Sequence, residues 1–220
     1  WQGQSLAKRE PRKSERKRSF TDDEMRLLFS GRAAPLIQEF MVIAALSGMR
    51  VDEIAKLTAG NIVRTAGEIQ IPCFDITEAK TSAGERLVPV HPELLELIER
   101  RSRGLKQSDP LFPELPVPRE GSAVERSQKI SKRFTAFRRR VGVDERLPGA
   151  RQSRVDFHSF RRWFATRAEQ ALQPPHFISS TLGHKRDGMT LGVYSDGALV
   201  KQFQELVASV RLPEGCRISI

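Results

Sequence analysis

Arg50, Lys80, His158, Arg161, His184 and Tyr194 are the residues of this 220-residue chain whose types and order could do chemistry. They stand in four short segments: Ala45 to Glu53 (ALSGMRVDE), the turn around Lys80, His158-Ser159-Phe160-Arg161, and Leu182-Gly183-His184 followed by Tyr194. Guanidinium groups offer paired donors to an anion and stay charged. An imidazole moves protons near neutral pH, and a phenol is a nucleophile once its proton is taken. Singly, each residue has an ordinary reading. Arg50 follows a glycine break and can face solvent, Lys80 can be surface charge on a hairpin, His158 can cap a helix, and Arg161 can pair with a carboxylate. His184 can close a helix end, where a cation suits the dipole, and Tyr194 can be a core residue of an amphipathic helix. Tyr194 is also the one tyrosine in the sequence.

The charge balance points the same way as the arginines. Lysine and arginine number 37 against 27 acidic residues, a net charge of +10, and a surplus of that size attracts polyanions such as nucleic acid. The hydrophobic share of 39% suffices for a core and is too high for a disordered chain. The longest apolar run, Phe40 to Leu46, is far short of the roughly 20 residues of a membrane span. Cys73 and Cys216 are far apart with no zinc-ligand spacing, which fits a reducing cytoplasm and gives no disulfide framework. No export leader is expected, and a chain that begins at Trp1 reads as a piece of a longer protein. No glycine-rich phosphate loop is present, so ATP-driven chemistry is not expected.

Stepping along the chain, residues 8–18 (KREPRKSERKR) read as a flexible basic lead-in. Thr21 and Glu24 form a capping-box pattern opening a helix to about Phe29. Pro35 opens a second helix, apolar nearly all round through Ile37–Leu46 and closed by Gly48, and Val51–Leu57 a third. Short strands are expected at Asn61–Val63, Glu68–Ile71, Phe74–Ile76 and Leu87–Val90, with residues 80–84 as a hairpin loop. A helix follows from Pro92 to Gly104, then a proline-rich surface loop over 105–122. The segment Val124–Val141 reads as a helix with Ile130, Phe134, Phe137 and Val141 on one face. Arg126, Lys129, Lys132, Arg133, Arg138, Arg139 and Arg140 occupy the rest; they fit either phosphate contact or a solvated face. Helices at Ser159–Ala171, Pro174–Leu182 and Gly197–Val210 complete the pattern, with 212–220 a short strand or tail. The fold class is therefore mostly α with a small antiparallel β-sheet.

Taken together and in this order, the segments resemble the catalytic domain of the tyrosine recombinases, the family of phage integrases and Xer recombinases. The most telling pieces are HSFRRWFAT at His158–Thr166 and TLGHKRDGMTLGVYS at Thr181–Ser195, with KTSAGERLVPV at Lys80–Val90 in step. The resemblance spans Phe20 to about Val210. It implies a DNA breaking-and-rejoining enzyme that needs no cofactor, metal or ATP, with chemistry like that of type IB topoisomerases. Tyr194 matches the nucleophile that forms a 3′-phosphotyrosine, Arg50 and Arg161 the phosphate clamp, and Lys80 the general acid for the leaving 5′-oxygen. His158 matches the residue that assists proton removal and contacts phosphate, His184 a hydrogen-bond donor packed on the site, and Glu53 a supporting acid that orders it. A nucleophilic serine at Ser159 or Ser195 lacks the Gly-x-Ser-x-Gly elbow.

The same resemblance implies a catalytic domain over residues 19–210, a basic linker at 1–18 and a tail at 211–220, with the family's amino-terminal core-binding domain absent from this chain. The implied partners are double-stranded DNA and further copies of the chain: a tetramer on DNA, with a monomer as the alternative when the chain is alone. The implied location is the cytoplasm, at the nucleoid when DNA-bound, with no membrane. A different class of reading, a non-catalytic DNA-binding protein of the same fold, has no need for a tyrosine beside two arginines and a histidine.

Overall fold

The computed structural model of the chain describes residues 17–66, 68–77, 85–116, 126–184, 198–216 and 218. In chain order these form α1 (Asp22–Ser30), α2 (Pro35–Ser47), α3 (Val51–Lys56), β1 (Ile62–Arg64), β2 (Pro72–Ile76), β3 (Arg86–Pro89), α4 (Leu95–Ser102), α5 (Ser127–Arg140), α6 (Ser159–Gln170), α7 (Pro175–Thr181) and α8 (Ala198–Ser209). Short 3-10 turns occupy Ala59–Asn61 and Pro92–Leu94. None of the helices is long and apolar enough to cross a membrane, among the described residues.

An apolar helix with almost no polar face has to be surrounded, and α2 is. It starts on a proline whose missing N–H costs nothing in a first turn, and of its residues only Pro35 and Gln38 escape burial. Its carboxylate, Glu39, is buried too. Arg100 Nη2 meets Glu39 Oε1 at 3.0 Å and Arg101 Nε meets Oε2 at 2.8 Å, which keeps the charge paired. The layer over α2 comes from α5 and α6, stapled by phenylalanines: Phe160 lies 4.8 Å from Phe20 and 5.4 Å from both Phe134 and Phe157, ring centre to ring centre.

The chain enters this core through a dense junction. Thr21 and Glu24 make the expected reciprocal cap, with Glu24 N donating to Thr21 Oγ1 at 3.2 Å and Thr21 N to Glu24 Oε2 at 2.9 Å. Arg18 bridges Glu24 (2.7 Å) and Glu145 (2.5 Å).

The sheet has the order β1-β2-β3, antiparallel throughout, with Ile62 opposite Phe74 and Phe74 opposite Val88. Three strands form among the described residues rather than the four expected. Glu68–Ile71 is instead part of the turn between β1 and β2, closed by Thr65 N donating to Ile71 O and Ile71 N to Thr65 Oγ1. The reason is burial: Phe74 and Val88 fix the register from the core side, whereas Ile69 is 66% exposed.

The segment after α4 also departs from expectation. In its described part, 105–116, Leu111, Phe112 and Leu115 are core residues, and Leu111 N donates to Leu57 O at 2.8 Å. Prolines mark where this segment turns, but its apolar residues tie it down, with Phe112 4.7 Å from Phe40. The carboxyl-terminal residues 210–216 form a turn, Cys216 N to Pro213 O at 3.1 Å, and not a strand.

Candidate active site

The break between α2 and α3 places the first arginine. Gly48 closes α2 with φ +67, a left-handed conformation that favours glycine. A Cβ there would sit 2.7 Å from Phe164 Cδ1 and 2.8 Å from Leu182 Cδ2, so the position also needs glycine for space. Two residues later Arg50 stands at the amino end of α3. Glu53, in the first turn of that helix, accepts from Arg50 N at 2.8 Å and from Arg50 Nη1 at 2.7 Å.

Glu53 is shared. Arg86, on β3, donates Nη1 to Glu53 Oε1 at 3.1 Å and Nη2 to Oε2 at 3.0 Å, and its Nε donates to Thr181 O at 2.6 Å. Burial pushes the Glu53 carboxyl up, but the hydrogen bonds and charge of Arg86, helped by Arg50, hold it below the ordinary carboxylate range.

The second arginine lies deeper. Arg161, on α6, is 3% exposed; its Nη1 donates to Gly48 O at 2.8 Å and its Nη2 to Leu182 O. Burial and the nearby Arg50 push its guanidinium down to about 9, against the pull of Glu53, which leaves it cationic at neutral pH. The two carbonyls are the ends of the segments that carry Arg50 and His184, so one buried side chain stitches both to α6.

His184 leaves α7 through a Schellman closure, with His184 N donating to Ser179 O at 3.0 Å and Gly183 N to Ser180 O at 2.9 Å. His158 sits at the start of α6. Both imidazoles are open at the surface, yet both are pushed toward the neutral form. Partial burial and the cations Arg162, Arg161 and Arg50 lower His158 to about 4, with Asp156 opposing; burial and Arg161, Arg50 and Arg86 lower His184. Arg50, Glu53, His158, Arg161 and His184 thus converge on one site of positive potential. Lys80 and Tyr194 lie outside the described residues.

Ser159, a serine weighed as a nucleophile, is fully buried and spoken for. Its Oγ donates to Arg18 O at 2.7 Å and accepts from Asp156 N at 3.1 Å. Arg86 is the residue whose part in the site the sequence reading did not assign. Its signal was there: it stands two residues before Val88 on a strand, hence on the same inward face, where an arginine needs a carboxylate.

The cations expected on α5 divide. Lys132, Arg133, Arg139 and Arg140 are exposed and Lys129 is half-buried. Arg140 also donates Nη2 to Arg32 O at 2.5 Å. Arg138 turns inward instead: it is 3% exposed and its Nη1 donates to Val143 O at 2.8 Å and Asp144 Oδ1 at 2.5 Å. Arg126 bends back to the Phe112 carbonyl at 2.9 Å. Helical phase explains Arg138: it follows Phe137 on the edge of the apolar stripe, over the Val143–Asp144 turn. Among the described residues no group of three or more His, Cys, Asp or Glu is placed to hold a metal ion.

The sequence model of the phage integrase family matches residues 23–198. The chain belongs to the phage integrase family. The fold of this family member is that of the tyrosine recombinase catalytic domains, as solved structures bear out. It superposes on the integrase from mycobacterium phage Brujita with a TM-score of 0.63 at 18% identity, covering 97% of this chain and 62% of that one. It superposes on XerA recombinase with a TM-score of 0.51 at 18% identity, covering 90% and 61%. This integrase-family chain therefore spans under two thirds of the length of either relative. No curated protein sequence matches it.

Proposed function

We propose that residues 19–210 are the catalytic domain of a site-specific DNA recombinase, which cuts and rejoins DNA through a 3′-phosphotyrosine without metal or ATP. The observation that carries this reading is the Arg161 side chain, which joins the Arg50 turn to the His184 turn and so brings two guanidinium groups and two neutral imidazoles to one place. Such a cluster suits a phosphodiester. The negative charge that grows on the non-bridging oxygens during attack meets fixed, charged donors, and His158, unprotonated at neutral pH, is able to take the phenolic proton.

In this reading Tyr194 Oη attacks phosphorus, the bond to the 5′-oxygen breaks, and Lys80 supplies the proton that leaves with the 5′-hydroxyl. The phosphotyrosine keeps the energy of the broken bond, so a second 5′-hydroxyl can reverse the step without ATP. Glu53 holds Arg50 and does not meet DNA. The partners are duplex DNA, held in part by the exposed cations Lys132, Arg133, Arg139 and Arg140 with the half-buried Lys129, and further copies of the chain in a tetramer on two DNA sites. The remaining length seen in the relatives would include the family's amino-terminal core-binding domain, joined through the basic stretch 1–18.

The test is a suicide duplex, nicked so that the 5′-product diffuses away, tiled across the attachment region of the source element. The expected result is a protein–DNA adduct that maps to Tyr194 and is lost in Tyr194→Phe while duplex binding persists. An adduct that survives in Tyr194→Phe overturns the mechanism, and duplex binding with no adduct for the unaltered protein favours a non-catalytic DNA-binding role.

A further inference from the structure

We infer that Arg86 is a positioning residue of the candidate active site, which keeps Glu53 charged and sets the angle of the Leu182–His184 turn. This rests on the recombinase reading for its consequence and on geometry for its substance. Arg86, like Arg161, ties three elements together: β3 carries it, Glu53 of α3 takes two of its bonds, and Thr181 at the end of α7 takes a third. Its side chain is 8% exposed and that of Glu53 9%. A bidentate arginine–carboxylate pair this sheltered holds direction as well as charge.

The first consequence concerns Arg50. Glu53 Oε1 accepts from both Arg50 Nη1 and Arg86 Nη1. With Arg86 balancing the carboxylate, Arg50 is oriented by its Nη1–Oε1 bond and, among the described residues, has further N–H groups to offer an anion. Without Arg86, a nearly buried carboxylate has Arg50 as its remaining arginine partner here, and the pair closes on itself at the expense of phosphate.

The second concerns Arg161 and His184. Thr181 O, held by Arg86, is one residue from Leu182 O, held by Arg161, and His184 follows two residues on. The glycine of Leu182-Gly183-His184 has a steric reason in this arrangement. A Cβ on Gly183 would lie 2.8 Å from Arg86 Nη1 and 3.1 Å from its Cζ, and its φ is +63. The turn is shaped around the Arg86 guanidinium, so moving one displaces the other.

The experiment compares Arg86→Gln, Arg86→Lys and the double variant Arg86→Gln/Glu53→Gln with the unaltered chain. Two readouts are used: the NMR titration of the Glu53 carboxyl carbon, and single-turnover adduct formation on the suicide duplex above, with duplex affinity measured separately. In Arg86→Gln the Glu53 midpoint should rise, because burial then acts with one cation fewer. Adduct formation should slow by about tenfold or more with affinity changed by less than about threefold, and an acid limb should follow the raised Glu53 midpoint.

Arg86→Lys should recover the titration in part and the rate less, because an ammonium lacks the planar fork. The double variant removes both charges, so it folds even if Arg86→Gln does not; it should melt near the unaltered chain and remain slow. Recovery of full rate in the double variant overturns the inference, as does a rate unchanged in Arg86→Gln. If the unaltered chain forms no adduct on any duplex, the recombinase reading fails, and the Glu53 midpoint alone then decides: a rise in Arg86→Gln upholds the positioning, no change overturns it.

Discussion

Arg161 Nη1 donates to the backbone oxygen of Gly48, 113 residues earlier in the chain, at 2.8 Å. The same guanidinium reaches Leu182 O with Nη2, so two of its arms are spent on peptide carbonyls and the rest of its donors are aimed by that grip. A lysine offers one charge on a flexible stem and cannot hold both carbonyls in a plane. Arg161→Lys should therefore lower adduct formation by about a hundredfold or more. It should also lower stability by about 2–4 kcal/mol, because buried carbonyls lose their partners. Single-turnover cleavage and urea melts check the two effects, and a variant that melts normally and cuts normally overturns both.

His158 should titrate near 4 in the free protein, against about 6.5 for an ordinary histidine. The folded chain then holds fewer protons here than the unfolded chain. The contribution to stability is complete above the unfolded value and is lost as pH falls toward the folded one. The His158 ring proton signal should stay in its neutral position from pH 8 to below pH 6, and binding of duplex DNA, whose phosphates oppose the arginines, should move the midpoint up. A midpoint near 6.5 without DNA would show that Arg162, Arg161 and Arg50 do not act on the ring.

Replacing Arg138 should separate stability from DNA contact. Arg138→Ala strips partners from Val143 O and Asp144 and should cost about 2–3 kcal/mol, while leaving the salt dependence of duplex binding unchanged. Lys132→Ala and Arg133→Ala should do the reverse. Each should cost less than about 0.5 kcal/mol and lower the slope of log affinity against log salt by about one. Anisotropy titrations at several salt concentrations, with melts alongside, give both numbers, and an unchanged slope in both exposed variants would remove α5 from the DNA face.

Gly48→Ala should destabilise by about 2–4 kcal/mol, from left-handed strain together with overlap on Phe164 and Leu182. Gly104→Ala is the control: its φ is +74, yet no atom lies within 4 Å of the added Cβ, so strain alone remains, about 1 kcal/mol. Equal losses at the two sites would mean that packing against Phe164 plays no part at Gly48.

Where the sequence was legible, the controlling interaction was local. The Thr21–Glu24 cap, the proline start and glycine stop of α2, and the apolar face of α5 depend on residues within a few positions of one another, so pattern alone predicts them. The strand expected at Glu68–Ile71, and the three apolar anchors in the described part (105–116) of the surface loop expected over 105–122, were decided at long range. The register of Phe74 against Ile62 and Val88 leaves the first outside the sheet, and the bond from Leu111 N to Leu57 O draws the second into the core.

By itself the sequence determined the kind of protein this is: a mostly helical member of the phage integrase family. Residue type and order survive in one dimension, and that was enough. What only the tertiary structure decided is which cation has which task. Arg161 and Arg138 are arginines in basic, amphipathic helices, yet one is gripped by Gly48 and Leu182 and the other by Val143 and Asp144. Arg86 becomes part of the site only because Glu53 and Thr181 arrive from distant segments to meet it. A guanidinium has no role until its partners are fixed, and those partners are carbonyls and carboxylates brought together by packing around α2.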